Sequence, residues 1–123
     1  MLKMKFNMKT LLKLEDFAEF VLAIFVFSNL DFAWWWFPAL ILLPDLSMIG
    51  YVVNSKTGAA SYNFVHHKGL GIVVGMLGFI YGQEVLVLAG VILFGHSAMD
   101  RMFGYGLKYS DDFKNTHLGK IGK

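Results

Sequence analysis

The fold of this 123-residue chain is decided by the stretch VLVLAGVILFGHSAMD, residues 85–100. Its first ten residues are apolar or glycine, without the alternation of apolar and polar residues that marks a membrane-spanning strand. Continued to Phe103, the run is long enough as a helix to cross a hydrocarbon core of about 30 Å. We therefore predict a spanning helix over about residues 85–103, with a histidine and an aspartate near its end.

Three further apolar runs precede this stretch, at about residues 11–30, 32–51 and 59–81. The connections between them are short, which favours antiparallel neighbours. Apolar residues make up 56% of the chain and charged residues only 16%, against roughly 45–50% and about 25% in soluble domains. The sequence predicts an all-α polytopic membrane protein, with four transmembrane helices in an antiparallel bundle. It forms a single membrane domain over residues 1–123, with a tail over 104–123.

The residue types and the charge exclude several functions. The sequence contains no cysteine, which excludes disulfides, thiolate metal ligands and cysteine nucleophiles. The net charge of +2 gives no reason to expect a nucleic-acid partner. The basic start is typical of a signal peptide, but the run that follows holds Glu15, Asp16 and Glu19 and lacks a small-residue cleavage pattern. We therefore predict a retained membrane anchor.

Lysine and arginine residues set the predicted orientation. The first and third connections, near residues 29–31 and 82–84, contain neither. Lys68, inside the third predicted span, is the exception among the eleven basic residues. The other ten lie at the N-terminus, in the second connection and in or just before the tail: Lys3, Lys5, Lys9, Lys13, Lys56, Arg101, Lys108, Lys114, Lys120 and Lys123. The positive-inside rule therefore places both termini in the cytoplasm, and it places Trp34–Trp36 at the outer interface.

Ionisable residues inside the predicted spans are the candidate functional groups, because charge at membrane depth is costly. His96 and Asp100 are four residues apart and share a helical face, where they can bind one metal or form a buried His–Asp hydrogen bond. Asp45 follows Pro44, which should kink its helix and free a backbone oxygen. Counted from the cytoplasmic ends, Asp45, His66 and His96 lie at a similar depth in the inner leaflet.

Three other features extend this hypothesis. Glu15 and Glu19 are stacked one turn apart at the start of the first helix, where they either face the site or pair with lysines. Apolar tail residues such as Phe113 would let the tail fold back and bring Lys108 or His117 to the mouth of the cavity. The glycines of the third helix suit close helix packing, and Gly71 and Gly75 are one candidate face for a homo-oligomer.

Several motifs together resemble a known family. They are PDLSMIGY at residues 44–51, Gly58-Ala59 with Tyr62-Asn63 and His66, His96 with Asp100-Arg101, GYGLKY at 104–109, and FKNTHLG at 113–119. Over nearly the whole chain the sequence resembles a bacterial family of small membrane proteins catalogued as domain of unknown function 4260. The resemblance implies a multi-pass protein of the bacterial inner (cytoplasmic) membrane, with a glutamate at the place of Glu15. It implies no activity.

A more distant similarity is to the bacterial membrane-bound metal-dependent hydrolases, which combine a Pro-Asp, a histidine in the next helix and a later His-x-x-x-Asp. This similarity implies a divalent metal at Asp45, His66, His96 and Asp100. Imidazole and carboxylate ligands without sulfur suit zinc, manganese or iron.

The leading hypothesis is a metal-dependent hydrolase that acts on a lipid-like or phosphate-bearing substrate at the inner leaflet, with membrane lipid as its partner. The metal would lower the pKa of a bound water. Glu15 would be the general base, and Arg101 or Lys108 would hold the anionic group of the substrate. The alternative is a non-enzymatic membrane bundle, structural or proton-relaying, with a buried His–Asp–Arg network. A heme or di-metal redox role is a third hypothesis.

Overall fold

The computed structural model describes residues 7–121, and the chain is mostly helical. The α-helices are α1 (Met8–Ser28), α2 (Trp36–Leu40), α3 (Ser55–Val65), α4 (Lys68–Ile80) and α5 (Glu84–Met102). A 3-10 helix, Leu43–Val52, lies between α2 and α3. A small antiparallel hairpin of β1 (Asn115–Thr116) and β2 (Gly119–Lys120) follows α5.

The helix α5 is the centre of the fold, and both α1 and α4 pack along it. The buried core joins α1 to α5 and consists of Ala23, Phe27, Leu88, Val91 and Ile92. At one end the start of α1 lines a small cavity with Arg101 and Gly104. At the other end the Asp31 backbone N–H donates to the Glu84 carboxylate over 2.6 Å. These two contacts show that α1 and α5 run antiparallel.

Glycines bring α4 and α5 into close contact. A Cβ atom added at Gly71 would lie 2.7 Å from the Phe94 nitrogen, and one added at Gly78 would lie 2.5 Å from the Val87 nitrogen. The order of these contacts makes α4 and α5 antiparallel, and only small residues permit such an approach. The structure thus shows the close packing predicted for these glycines. The helix α5 thus covers Gly71 and faces Gly75, and the homo-oligomer stays a prediction.

Two of the four predicted helices are broken, which corrects the sequence interpretation. The predicted helix over 32–51 is the short α2 followed by the 3-10 helix. Pro44 lies in the first turn of the 3-10 helix. Because proline has no N–H to donate to the preceding turn, a new helical segment begins there, and the chain does not continue as one kinked helix. The predicted helix over 59–81 is divided into α3 and α4, because the backbone at His67 is extended (φ −80°, ψ 121°).

One helix in the described range 7–121, α5, is both long and apolar enough to cross a membrane by length and composition. The helix α4 has 13 residues, fewer than the roughly 20 that a bilayer core requires. The predicted helical character of the chain is therefore confirmed, whereas the structure does not show the four predicted membrane spans.

The segment after α5 folds back on the helices. The ring of Phe113 packs edge-on against Tyr51 of the 3-10 helix, with their centroids 5.2 Å apart. The His117 backbone N–H donates to the Leu107 carbonyl, which closes the segment on itself. A bridge between Lys108 and Thr116 extends the hairpin toward α3. This folding carries Lys108 to a buried position.

Candidate metal centre

Four side chains from three segments of the chain meet at one point: Asp45, His66, His96 and Asp100. The Nε2 atom of His66 lies 3.2 Å from Asp45 Oδ1 and 3.4 Å from Asp100 Oδ2. The Nε2 atom of His96 lies 3.0 Å and 3.4 Å from the same two oxygens. Nitrogen and oxygen atoms therefore alternate around a ring, and each residue offers an atom within 4.8 Å of the other three. This constellation is the one that the sequence predicted.

The distances around this ring suit a metal ion. Ligand atoms at about 2.0–2.2 Å from a four-coordinate zinc lie roughly 3.3–3.6 Å from one another. The four nitrogen–oxygen distances of 3.0–3.4 Å are close to that range, and all four ligand atoms lie within 4.8 Å of one another. Both imidazoles are fully buried, and the Asp45 side chain is 38% exposed. The centre is thus enclosed by protein on the histidine side and open on the Asp45 side.

His96 is oriented by the break before Pro44. Because α2 ends at Leu40, the Ile41 carbonyl is not used by a continuing helix, and it lies 2.5 Å from Nδ1 of His96. A carbonyl can only accept, so Nδ1 carries the ring hydrogen and Nε2 of a neutral imidazole carries the lone pair. Pro44 was expected to free the Leu40 carbonyl, and the backbone oxygen that His96 contacts is instead that of the next residue, Ile41.

His66 is oriented in the same way by the end of α3. Its Nδ1 lies 2.9 Å from the Tyr62 carbonyl, so its Nε2 also faces the cluster as an acceptor. Its ring stacks on the ring of Tyr62, with centroids 3.7 Å apart and planes within 8°. The Tyr62 hydroxyl donates to Asp100 Oδ2 over 3.1 Å. Contacts of this kind, from outside the ligand set, hold metal ligands in place in metalloproteins.

The two tautomers together determine what the cluster can bind. With both Nδ1 atoms donating to carbonyls, the neutral imidazoles present two lone pairs to two carboxylate oxygens. Four acceptors this close repel one another unless a positive charge lies between them. A divalent metal ion supplies that charge, and so do protons on the imidazoles. The ligand set contains nitrogen and oxygen without sulfur, which suits zinc, manganese or iron.

A cavity of about 340 Å³ opens on the centre, and Asp45, Asp100, Tyr62 and Lys108 are among its lining residues. The Asn63 side chain forms two hydrogen bonds with the backbone of Lys108. It donates to the Lys108 carbonyl over 2.7 Å and accepts from the Lys108 N–H over 2.6 Å. The Lys108 ammonium lies over the Tyr62 ring, 4.8 Å from its centroid. Burial lowers the pKa of Lys108, against the opposing effect of the Asp100 and Asp45 charges.

The other predicted site residues lie elsewhere. Arg101 is buried, but its guanidinium donates to backbone carbonyls, those of His66 (3.0 Å) and Tyr105 (3.3 Å). Glu15 is exposed on α1 and does not line the cavity that opens on the centre. Its role as general base stays a prediction.

The acidic residues beside Glu15 have a different partner. The Lys68 ammonium, at the start of α4, forms ion pairs with Asp16 and with Glu19 (2.6 Å). Lys68 lies inside the predicted span over 59–81, and these carboxylates account for its charge there. The pairing with lysine considered for Glu19 is therefore present, and it joins α1 to α4.

Sequence reasoning did not assign roles to Tyr62 and Asn63. Tyr62 precedes His66 by four residues, so helical spacing alone placed it on the face of the site. The spacing of three residues likewise put Asn63 on the face of His66, but its contact with Lys108, 45 residues away in the sequence, had no local signal.

Comparisons with known proteins agree with the family resemblance and go no further. A family model described as a domain of unknown function (DUF4260) matches residues 9–121. Neither the curated proteins nor the solved structures contain a match.

Proposed function

We propose that one divalent metal ion is bound by Asp45, His66, His96 and Asp100 in this chain, which belongs to the family of domain of unknown function 4260. The observation that carries this proposal is the orientation of the two imidazoles. Both Nε2 lone pairs face the same two carboxylate oxygens at 3.0–3.4 Å, and both rings are held there by backbone carbonyls. A cation is the simplest partner for four converging acceptors.

The cavity beside the centre supports a reaction on an anionic substrate. A divalent ion held by these four residues would lower the pKa of a water molecule toward neutrality and would polarise a phosphoryl oxygen. Lys108 places an ammonium group in the same cavity, as a point charge for a phosphate group. We infer hydrolysis of a phosphate ester. The water oxygen bonds to phosphorus and gives up a proton, the ester P–O bond breaks, and the departing oxygen takes up that proton, giving an alcohol and inorganic phosphate.

The location that we propose is a membrane, with the centre toward the cytoplasmic side. Large apolar side chains are exposed on α1, α4 and the 3-10 helix, among them Phe25 (64%), Phe79 (83%) and Ile49 (75%). A water-exposed surface of this kind is unusual in a soluble monomer. The cluster lies in the second half of α5, at the end of the bundle that carries Arg101 and the basic tail. The positive-inside rule favours the cytoplasm for that end.

A second candidate function is a proton-holding network without catalysis. The distances of 3.0–3.4 Å between imidazole nitrogens and carboxylate oxygens also suit hydrogen bonds if the imidazoles are protonated. In that case the cluster holds its segments together, and no metal is required. The two functions differ in their response to metal.

Metal analysis of the purified full-length chain tests the proposal. We expect about one equivalent of zinc, manganese or iron, and we expect H96A and D45N to lose it while their helix content is retained. H67A is the matched control, because His67 adjoins His66 in sequence but is exposed and outside the cluster. Chelation should lower the unfolding temperature of the wild type and of H67A only. A wild type that binds none of these metals when they are added would contradict the proposal and favour the proton-holding network.

A further inference from the structure

A small basic cavity lies between the first turns of α1, the end of α5 and the tail. It has a volume of about 120 Å³, which is enough for one small charged group but below the roughly 300–1,000 Å³ of a site for a whole small molecule. Three cationic side chains, one carboxylate and two leucines line it: Lys9, Lys13, Arg101, Asp16, Leu12 and Leu118. None of these residues lines the polar cavity that opens on the candidate metal centre. The basic cavity is therefore a separate candidate site.

Arg101 brings a buried positive charge to this cavity without a counter-ion from the protein. It is 8% exposed, and its guanidinium donates to two backbone carbonyls, which use two of its five N–H groups. Within the described residues 7–121, no carboxylate oxygen lies within 4.0 Å of the guanidinium nitrogens. Buried charges in proteins are normally paired, because desolvation of an unpaired charge is costly. An anion in the cavity would supply the missing charge.

Two lysines of α1 add further positive charge on the other side of the cavity. Lys9 and Lys13 are four residues apart, so they lie one turn apart on the same helical face. Neither of them forms an ion pair with a described residue. Asp16 is the one carboxylate in the lining, but it is paired with Lys68, which also binds Glu19. The cavity therefore keeps a net positive charge.

The position of the cavity along α5 favours the phosphate group of a lipid. The helix has 19 residues, a length of about 28 Å, which is close to the hydrocarbon thickness of about 30 Å. In the membrane location proposed above, Arg101 at the end of α5 therefore lies at the level of the lipid phosphates. Leu12 and Leu118 line the cavity and are themselves 46% and 38% exposed. Apolar surface for acyl chains thus begins beside the cationic groups.

We propose that this cavity binds the phosphate group of an anionic phospholipid in the cytoplasmic leaflet. Lys9 and Lys13 hold the phosphate oxygens from α1, and Arg101 holds them from α5. Basic pockets between helices on the cytoplasmic side of membrane proteins bind anionic headgroups in this way. The same chemistry would accept free inorganic phosphate, and the experiment distinguishes the two sources. The lipid rests on the proposed membrane location, and the site is independent of the proposed metal and reaction.

Lipid binding by the purified full-length chain in a non-ionic detergent tests this site. The probes are phosphatidylglycerol and phosphatidylcholine that carry the same fluorophore, and binding is followed by fluorescence anisotropy. We expect the wild type to prefer phosphatidylglycerol. We expect the double variant K9Q/K13Q to lose affinity for phosphatidylglycerol by about 25-fold, or roughly fivefold (about 1 kcal/mol) for each lysine. Its affinity for phosphatidylcholine and its metal content should be those of the wild type.

The control is K114Q/K120Q, which removes the same charge from two exposed tail lysines outside the cavity. It should bind phosphatidylglycerol as the wild type does. Equal losses in the two double variants would show a general attraction to anionic lipid and would overturn the site, as would a wild type that binds both lipids equally and no phosphate. Inorganic phosphate that binds the wild type and not K9Q/K13Q, without a lipid preference, would overturn the lipid and assign a free anion. Failure of the wild type to bind metal would instead contradict the proposed function.

Discussion

At the scale of single residues, Arg101 makes contacts that favour a role other than the predicted one. Sequence reasoning offered it as a holder of the substrate anion, but its guanidinium donates to the carbonyls of His66 and Tyr105. The His66 carbonyl lies at the end of α3, where no further helical turn satisfies it. Arg101 therefore positions His66, a residue of the candidate metal centre, and fixes the start of the tail.

We expect R101M to destabilise the protein by about 2–3 kcal/mol, because charge-assisted hydrogen bonds to buried carbonyls are lost. It should also weaken metal binding, since His66 is no longer held. Thermal unfolding and metal titration measure both effects. K108M is the comparison, and it should keep metal affinity and stability while losing affinity for inorganic phosphate. If R101M kept its stability and lost phosphate affinity instead, the substrate-holding role would stand.

The four cluster residues were predictable because each left a local signal. His96 and Asp100 are spaced four residues apart, Asp45 follows a proline, and His66 is at a matching distance from its helix end. The two hydrogen bonds between Asn63 and the backbone of Lys108 had no such signal. It depends on how the tail folds back over a separation of 45 residues, and neither residue indicates the other within its own segment.

At the scale of secondary-structure elements, the contact between α4 and α5 gives an asymmetric prediction. A Cβ atom at Gly90 would lie 2.5 Å from Gly75 Cα and 2.7 Å from the Gly71 carbonyl oxygen. A Cβ atom at Gly75 would meet nothing closer than Gly90 Cα at 3.8 Å. We expect G90A to cost about 1–3 kcal/mol, because the helices must move apart. We expect G75A to be neutral or to stabilise by up to about 1 kcal/mol, because alanine favours the helix.

Thermal unfolding of the two variants in the same detergent measures this difference. Both variants add one methyl group to the same interface, so each is the control for the other. Equal destabilisation would show that α4 and α5 do not pack in the register described here.

The tail gives a prediction of pH dependence through His117. Its Nδ1 accepts a hydrogen bond from the Leu107 backbone N–H over 2.8 Å, which requires an unprotonated nitrogen. Burial, followed by the positive charge of Arg101, lowers the pKa of His117 below its ordinary value of 6.5. The docked tail therefore binds fewer protons than the undocked tail just below pH 6.5. Docking should be complete above that pH and should weaken as the pH falls below it.

Amide hydrogen exchange at Leu107 and proteolysis of the tail, measured from neutral pH downward, report this docking. H117Q is the control, because its amide oxygen can accept from Leu107 without titrating. Its tail should stay docked throughout. Equal loss of protection in the wild type and H117Q would assign the effect to another group.

Helix breaks limited what the sequence could predict at this scale. Apolar runs predicted where α1 and α5 lie to within a few residues, since each is continuous. The run over 59–81 was predicted as one helix although it holds His66, His67 and Lys68 at its break, where α3 ends at Val65. That end is stabilised by Arg101, which lies 35 residues from His66 in the sequence. No pattern of apolar residues within the run could reveal it.

At the scale of the whole molecule, charge and apolar surface are divided between regions. The end of the bundle where Lys9 and Arg101 meet is basic. The opposite end has Asp31 in contact with Glu84, and its connections contain no lysine or arginine. Between the ends, the outer faces of α1 and α4 are largely apolar and exposed. This division favours insertion across a bilayer with the basic end in the cytoplasm.

Cysteine labelling tests this orientation, because the sequence has no cysteine of its own. We place single cysteines at Gln83, before α5, and at Ser110, in the tail; both positions are exposed at opposite ends of α5. In intact bacterial cells expressing the chain, a membrane-impermeant maleimide should label Q83C and leave S110C unlabelled until the cells are opened. Labelling of both in intact cells, or of neither, would mean that α5 does not cross the membrane. The reverse pattern would place the candidate metal centre near the outer surface.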